Sequence, residues 1–213
     1  MLDVVVLGIN DDPIPYLEGW ELQRSIHAEV VSGARPDTLL LLQHEGVYTA
    51  GKRTEAFERP TDGTPVIDVD RGGKITWHGP GQLVGYPITR LTQPIDVVGY
   101  VRTFEYLFME VTTEFSVAGQ RVEGRSGVWI PCGLSFNKLA AIGIRVSEGV
   151  TMHGFALNCN NSLRAYENII ACGIRDAGAT TLSEITGRII TPSDVVPSVT
   201  RIFQHHFEES HVS

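Results

Sequence analysis

Apolar and polar positions alternate along the first third of the chain in a way that predicts two strands around one helix. Residues 2–9 and residues 37–43 are apolar runs typical of buried strands, and the second is apolar on both faces, as in a central strand. Residues 15–32 have helical periodicity, which residues 33–36, Gly-Ala-Arg-Pro, bring to an end. The positions expected to face inward from this helix are Leu17, Trp20, Ile26 and Val30. Residues 51–65 are polar, contain Pro and Gly, and predict an exposed loop.

The middle of the chain predicts short strands followed by the clearest helix. Residues 66–90 are short strand patterns separated by glycine, and residues 95–115 form an amphipathic helical pattern. Asp96 lies near the start of that helix, where a negative charge is favoured by the helix dipole. The apolar face is predicted to contain Ile95, Val98, Val101, Leu107, Phe108, Val111 and Phe115.

The last third predicts consecutive strands and then short helices. The strand patterns are Gly127–Ile130, Leu139–Val146, Thr151–Leu157 and Asn168–Ala171. Short helices are expected after Ser162 and Thr180, and a C-terminal helix is expected from Thr191-Pro192 or later, because Pro197 is unfavourable inside a running helix. Strands that first alternate with helices and then follow one another favour an α/β (α+β) fold, with one mixed sheet flanked by helices in a single domain of residues 1–213.

Composition narrows the classes of function. The formal charge of −8 argues against broad contact with nucleic acid, which requires a basic face. No apolar run approaches the roughly 20 residues that cross a bilayer, so we expect no membrane contact. The first residues lack a basic leader, and the three cysteines are too sparse for a disulfide framework, so a cytoplasmic location is predicted.

The segment with the most candidate chemistry is R-G-G-K-I-T-W-H-G-P-G-Q, residues 71–82. Its glycines let a ligand approach the main chain closely, while Arg71 and His78 supply polar groups. A hairpin with a glycine-rich turn would explain residues 79–81 but not the earlier glycine pair, so a binding loop is favoured. The segment lacks the spacing of phosphate-binding or dinucleotide-binding loops, and we predict no cofactor.

Three further segments contain reactive side chains. Lys138 opens an apolar strand, His153 precedes a glycine, and Cys172 lies where an apolar run meets a glycine. Each has an ordinary structural explanation when taken alone: an exposed lysine, a buried histidine and an inert buried thiol. Cys132 and Cys159 are equally possible nucleophiles on local grounds.

Six ordered motifs between about residues 38 and 182 resemble the lipoyl(octanoyl) transferase family. They are LLLLQHEGVYTAG, RGGKITWHGPGQLVGYP, SGVWI, KLAAIGIRV, HGFALN and ACGI, and several resemble actinobacterial members. The resemblance implies the fold shared by biotin and lipoate protein ligases and a catalytic pair formed by Cys172 and Lys138. It also implies a set of substrate-binding residues: Arg71, Gly72, Gly73, Lys74, Ile75, Thr76, Trp77, His78, Ala141, Ile142, Gly143, Gly154, Phe155 and Ala156. Phe136-Asn137 depart from the basic or proline-rich residues common before the family's lysine.

The resemblance implies an acyltransferase with two kinds of protein partner. The donor would be octanoyl-acyl carrier protein, and the acceptors would be lipoyl domains of 2-oxoacid dehydrogenase E2 subunits and the glycine cleavage H protein. A thioester on Cys172 would keep the acyl group activated without ATP, and Lys138 would favour the thiolate and accept a proton from the attacking amine. His78 is the rival candidate for this base and ranks second, as a positioning residue. Because an acyl carrier protein is expected to be acidic, we predict a local basic rim drawn from Lys52, Arg53, Arg59, Arg71, Lys74 and Arg145. The acyl chain would need an apolar slot, for which Trp77, Ile142, Phe155 and Leu157 are candidates.

The sequence is also compatible with other functions. An ATP-dependent lipoate–protein ligase on the same fold would not need a nucleophilic cysteine, and a cysteine hydrolase would pass the acyl group to water. A catalytically inactive binder of lipoyl domains is a third alternative. A metal protein is disfavoured, because the cysteines and histidines show no paired-ligand spacing.

Overall fold

The computed structural model describes residues 2–9, 12–61, 63–169 and 178–209. The helices are α1 (Tyr16–Ser32), α2 (Val97–Glu114), α3 (Leu182–Thr186) and α4 (Pro192–Glu209). The strands before α2 are β1 (Asp3–Leu7), β2 (Thr38–Leu42), β3 (Val47–Ala50), β4 (Val66–Asp68), β5 (Thr76–His78) and β6 (Gln82–Ile88). The later strands are β7 (Gln120–Val122), β8 (Arg125–Cys132), β9 (Ser135–Ser147), β10 (Val150–Asn158) and β11 (Gly178–Ala179).

A mixed sheet forms the centre of the molecule, with strand order β1-β2-β6-β10-β9-β8-β7 and with β11 added beside β9. β1 is parallel to β2 and β11 to β9, whereas the remaining neighbours are antiparallel. A smaller sheet, ordered β4-β3-β5, carries part of the glycine-rich segment. The predicted α+β architecture with a mixed sheet is confirmed.

Helices cover both faces of the large sheet, and β2 shows why its sequence is continuously apolar. Leu40 and Leu42 face a cluster that includes Ile26 of α1, whereas Leu39 and Leu41 face the cluster formed with α2 and α4. Side chains alternate between faces along a strand, so a strand covered on both sides needs apolar residues at every position.

The helix predictions are correct in extent but not at every position. Leu17, Val98 and Ile95 were expected inward but are 60%, 70% and 37% exposed. Leu17 and Val98 lie in the first turns of their helices, and Ile95 precedes the first residue of α2. Asp96 caps α2, as its position suggested, by accepting a hydrogen bond from the Gly99 N–H at 2.8 Å.

Three other predictions are corrected. Residues 3–7 form a half-buried edge strand rather than a buried one, because β1 pairs on one side only. Helix α4 begins at Pro192, as expected, and the alternative of a later start is wrong, because the helix continues through Pro197. Asn168 ends a 3₁₀ helix spanning Arg164–Asn168, so the strand predicted from this residue does not begin there. No helix among the described residues is long and apolar enough to cross a membrane.

Candidate active site

A cavity of about 390 Å³ lies between the central strands β6, β9 and β10, the start of α1, and the segment that leads into β5. Its lining combines apolar side chains with several cations and histidines. The residues are Tyr16, Arg53, Arg71, Gly73, Lys74, Thr76, His78, Val84, Tyr86, Gly124, Arg125, Ser126, Lys138, Ala141, Ile142, Gly143, His153, Gly154, Phe155 and Ala156. A volume in this range suits a small organic ligand.

Arg71 holds the glycine-rich segment in shape. Its guanidinium donates to the carbonyl oxygens of Gly72 at 3.0 Å, Lys74 at 2.8 Å and Thr49 at 2.9 Å. The side chain is only 8% exposed. Five donors in a planar fork let one arginine satisfy several carbonyls that would otherwise lack partners. Arg71 was expected in an exposed basic rim, and that expectation is wrong because its donors are used inside the loop.

The glycine-rich segment packs closely against β9, and a side chain on Gly143 would force the neighbouring atoms to move. The Gly72 N–H donates to Ile144 O at 3.0 Å, and a Cβ on Gly143 would lie 3.3 Å from both Arg71 Cδ and Gly72 O. Gly73 has φ +83°, a conformation that glycine adopts without strain. The glycines therefore serve close backbone approach, as the sequence suggested.

Lys138 lies on β9 opposite Trp129 of β8, and its Nζ is 4.5 Å from the centre of the indole ring. The neighbouring backbone is anchored by Glu105, whose buried carboxylate accepts the Gly127 N–H at 3.0 Å and pairs with Arg102 at 2.6 Å and Arg121 at 3.2 Å. Gly127 has φ +110° and precedes a register shift between β8 and β9. This bulge sets where Trp129, and with it Lys138, lies.

Two aromatic residues that the sequence did not single out, Tyr16 and Tyr86, line the cavity beside His78. The rings of Tyr16 and His78 are stacked, with centroids 6.1 Å apart. Behind them, His44 Nδ1 donates to Ile14 O at 2.9 Å, so His44 Nε2 accepts from the Tyr86 hydroxyl at 2.7 Å. Burial lowers the pKa of His44 to about 4, so this buried group is neutral at neutral pH.

His153 is held in a strained backbone conformation at the cavity wall. Its φ is 57°, its backbone N–H donates to Gln23 Oε1 at 2.8 Å, and its Nε2 lies 2.6 Å from Asp70 Oδ1. Asp70 also pairs with Arg145. Such strain persists only where surrounding bonds enforce it, and here Gln23 and Asp70 bond to His153 directly while Arg145 pairs with Asp70.

The structure brings most of the predicted site residues together. Those lining the cavity are Arg71, Gly73, Lys74, Thr76, His78, Lys138, Ala141, Ile142, Gly143, Gly154, Phe155 and Ala156. Gly72, Ile75 and Trp77 lie outside the lining; Ile75 and Trp77 pack with Tyr48 and Tyr166 instead. Leu157, a candidate for the acyl slot, is fully buried in the same core cluster as Phe155 but is not part of the cavity lining.

The three cysteines differ in what can be said of them. Cys172 lies outside the described residues. Cys132 is exposed at the turn between β8 and β9. Cys159 is fully buried, and burial raises the pKa of its thiol to about 12, so Cys159 is unsuited to act as a thiolate nucleophile.

The predicted basic rim is smaller than expected. Three of its members form ion pairs: Arg59 with Asp68, Lys74 with Glu58 and Arg145 with Asp70. In the part of the chain that the structure describes, Lys52 and Arg53 are the members of the predicted set that are exposed and have no ion-pair partner. Any attraction for an acidic partner at this rim would rest on those two residues.

The sequence also matches a known family of proteins. Residues 15–204 match the family model described as the lipoyl protein ligase A/B catalytic domain. The chain belongs to that family. The octanoyltransferase of Leifsonia xyli is 61% identical over 202 residues, covering 94% of this chain and 90% of its own. That of Clavibacter sepedonicus is 59% identical, covering 92% and 87%. The prediction of an acyltransferase is confirmed by these relatives.

Solved structures of lipoate and biotin protein ligases share the fold at low sequence identity. P. falciparum LipL1 in complex with lipoate has a TM-score of 0.73 at 14% identity, covering 99% of this chain, which spans 63% of that one. The bi-partite lipoate protein ligase of Thermoplasma acidophilum has a TM-score of 0.70 at 14% identity, covering 97% and 83%. Biotin protein ligase from Aquifex aeolicus has a TM-score of 0.61 at 13% identity, covering 97% and 71%. The predicted relation to lipoate and biotin ligases is confirmed at the level of fold.

Proposed function

We propose that the protein transfers an octanoyl group from octanoyl-acyl carrier protein to a lysine of a lipoyl domain, through a thioester on Cys172. The observation that carries the proposal is the 61% identity to an octanoyltransferase over nearly the whole of both chains. At that level of similarity the reaction class and acyl group are expected to be shared. The proposed acceptors are the lipoyl domains of 2-oxoacid dehydrogenase E2 subunits and the glycine cleavage H protein.

The cavity lining offers two kinds of contact, which suit the two parts of an acyl thioester. Val84, Ile142, Phe155 and Ala156 offer apolar contacts for a hydrocarbon chain. Lys138 brings a cation into the same cavity, where the reacting carbonyl and sulfur would lie. Burying a flexible alkyl chain against apolar walls gains roughly 0.8 kcal/mol per CH₂, enough to select for chain length.

The described residues on either side of Cys172 support its pairing with Lys138. Ile169, three residues before Cys172, is buried in a cluster with Tyr48 and Ile75. Gly178 and Ala179, which follow Cys172 by six and seven positions, form β11 beside Asn137 and Lys138. The first described residues after Cys172 therefore pair with β9 at Lys138.

The chemistry proceeds as two acyl transfers. The Cys172 thiolate attacks the donor thioester; its bond to the acyl carbon forms as the bond to the carrier sulfur breaks, and the carrier leaves as a thiol with the proton released by Cys172. The acceptor amine then attacks the new thioester, the amide bond forms, the bond to Cys172 breaks, and the amine proton passes through Lys138 to the departing sulfur. Thioester exchange is nearly balanced in free energy, so ATP is not required.

Supplying alternative acyl donors tests this function against a ligase. The wild-type protein should octanoylate an isolated lipoyl domain when given octanoyl-acyl carrier protein without ATP. Transfer that occurs only from free octanoate with ATP would refute the proposal, because a ligase must first activate a carboxylate. Release of octanoate at the same rate with and without the lipoyl domain would indicate a hydrolase.

A further inference from the structure

His78 stands at the end of a chain of buried hydrogen bonds that starts from a backbone carbonyl. Asn158 Nδ2 donates to Thr180 O at 3.0 Å, and Gln82 Nε2 donates to Asn158 Oδ1 at 2.8 Å. Gln82 Oε1 then lies 2.9 Å from His78 Nδ1. The three polar side chains of Asn158, Gln82 and His78 are 4%, 1% and 8% exposed, so water competes little for these bonds.

The direction of this chain fixes the tautomer of His78. A carbonyl oxygen only accepts, so the group that Asn158 presents to Thr180 must be its NH₂, and its oxygen must face Gln82. Gln82 must then present its own NH₂ to Asn158 and its oxygen to His78. His78 Nδ1 therefore carries the proton, and Nε2 carries a lone pair.

The Nε2 atom is available to a ligand. Among the described residues it has no hydrogen-bond partner, it is not one of the fully buried polar atoms that lack one, and the ring lines the cavity. Burial, with smaller contributions from the charges of His44 and Arg71, lowers the pKa of His78 to about 3. The ring is thus neutral at neutral pH, and Nε2 can accept a hydrogen bond but cannot donate one.

An atom that only accepts restricts which reacting group it can contact. The acyl carbonyl and the thioester sulfur have no proton to donate, so Nε2 cannot stabilise an oxyanion. The Cys172 thiol does have a proton, but a histidine whose pKa is lowered to about 3 is too weak a base to remove it, and the thiolate that attacks has no proton to donate. The attacking amine is the reacting group that has N–H bonds, and they become stronger donors as its nitrogen gains positive charge during attack.

We propose that His78 Nε2 accepts an N–H of the acceptor lysine as that amine attacks the thioester, and so orients it in the second half-reaction only. The inference rests on the proposed octanoyl transfer and assigns His78 a place in it. The same hydrogen-bond chain reaches the catalytic lysine: the Thr180 N–H donates to Lys138 O at 3.0 Å. Thr180 therefore fixes His78 relative to Lys138, which takes the proton while Nε2 keeps only the hydrogen bond.

Separate assays of the two half-reactions test this role. His78→Asn keeps an NH₂ for Gln82 but removes the acceptor at the Nε2 position. It should form octanoyl-Cys172 at the wild-type rate and exchange that acyl group with a small thiol normally. It should pass the group to a lipoyl-domain lysine roughly 10- to 100-fold more slowly, the range expected for losing a hydrogen bond to a charged partner. His78→Gln, whose longer side chain can return an oxygen to that position, should recover part of the rate.

A matched control and a spectroscopic measurement complete the test. His27→Asn alters another buried histidine, whose Nε2 lies 3.2 Å from Ser147 O outside the cavity, and should leave both half-reactions unchanged. Nitrogen-15 NMR of the wild-type protein should show His78 protonated at Nδ1 and unprotonated at Nε2 at neutral pH. Equal slowing of thiol exchange and amine transfer in His78→Asn, or a proton on Nε2, would overturn the inference. Failure of the wild-type protein to form octanoyl-Cys172 would instead overturn the proposed function.

Discussion

Glu105 provides a sharp test of how the backbone beside Lys138 is held. Its carboxylate is fully buried; Oε2 pairs with Arg102 and Arg121, and Oε1 accepts the Gly127 N–H at 3.0 Å. Glu105→Gln keeps a neutral oxygen for Gly127 but loses the charge. Glu105→Leu, of similar volume, loses both.

The two variants are expected to lose different amounts of the free energy of unfolding. The arginine side chains are 41% exposed and stay partly hydrated, so loss of the charge alone should cost only about 1–2 kcal/mol. Glu105→Leu also leaves the Gly127 N–H without an acceptor, which adds about 1–3 kcal/mol. We therefore expect a total loss of roughly 2–5 kcal/mol for Glu105→Leu, which overlaps the range for breaking a buried pair.

Urea unfolding at neutral pH measures both free energies of unfolding by linear extrapolation. Glu105→Leu should be less stable than Glu105→Gln by about 1–3 kcal/mol, and it should slow acyl transfer more, because Gly127 sets the bulge beside Lys138. Arg24→Gln serves as a surface control, since Arg24 pairs with the exposed Glu21 at 3.8 Å. Equal destabilisation by the two Glu105 variants would refute the claim that its oxygen anchors Gly127.

Three further predictions follow from the site and its surroundings. Reversing both exposed cations, Lys52→Glu with Arg53→Glu, should raise the KM for octanoyl-acyl carrier protein and weaken its salt dependence. Because Arg53 also lines the cavity, Lys52→Glu alone is the variant that should do so without slowing transfer from octanoyl-Cys172, and unchanged steady-state kinetics of the double variant would exclude this rim as the docking site. Acid should destabilise the fold as the pH falls below 6.5, down to about 4 for His44 and about 3 for His78, because the pKa values of these histidines are lowered from 6.5 to about 4 and about 3 and the unfolded chain therefore binds protons first. Each histidine contributes up to about 1.4 kcal/mol per pH unit, measured by urea unfolding across that range. Gly85→Ala would place a methyl carbon 2.0 Å from Cζ of Phe155, whose ring lines the cavity. The variant should lose about 1–3 kcal/mol of stability and show an altered acyl-chain preference in a competition assay.

The local patterns of the sequence were sufficient for most elements and for the parts of the site that depend on backbone shape. The glycine pair at residues 72–73 predicted close backbone contact, and the Gly72 N–H does donate a hydrogen bond to the carbonyl oxygen of Ile144 on β9. The continuous apolar run of β2 predicted a strand covered on both faces, because that pattern follows from the two-residue repeat alone. These inferences needed no knowledge of which distant segments meet.

The remaining features depend on long-range pairing, which no local pattern encodes. Tyr86 meets His44 only because β6 lies against β2, and their separation of 42 residues conceals the contact. Arg71 was placed at the surface because its partners, carbonyl oxygens of its own loop and of Thr49, have no sequence signature. Trp77 is displaced from the cavity because its ring packs on Tyr166, 89 positions later.

The central claim is that Cys172 carries the octanoyl group, and intact mass spectrometry with peptide mapping tests it directly. The protein is incubated with octanoyl-acyl carrier protein, with neither ATP nor acceptor present. We expect one octanoyl group, located on Cys172, that leaves when a lipoyl domain is added and appears on the domain's lysine. Cys159→Ala should behave as the wild type, and Cys172→Ser should transfer no octanoyl group. An unmodified Cys172, or a Cys172→Ser variant that still transfers the octanoyl group to the lipoyl domain, would refute the role of Cys172.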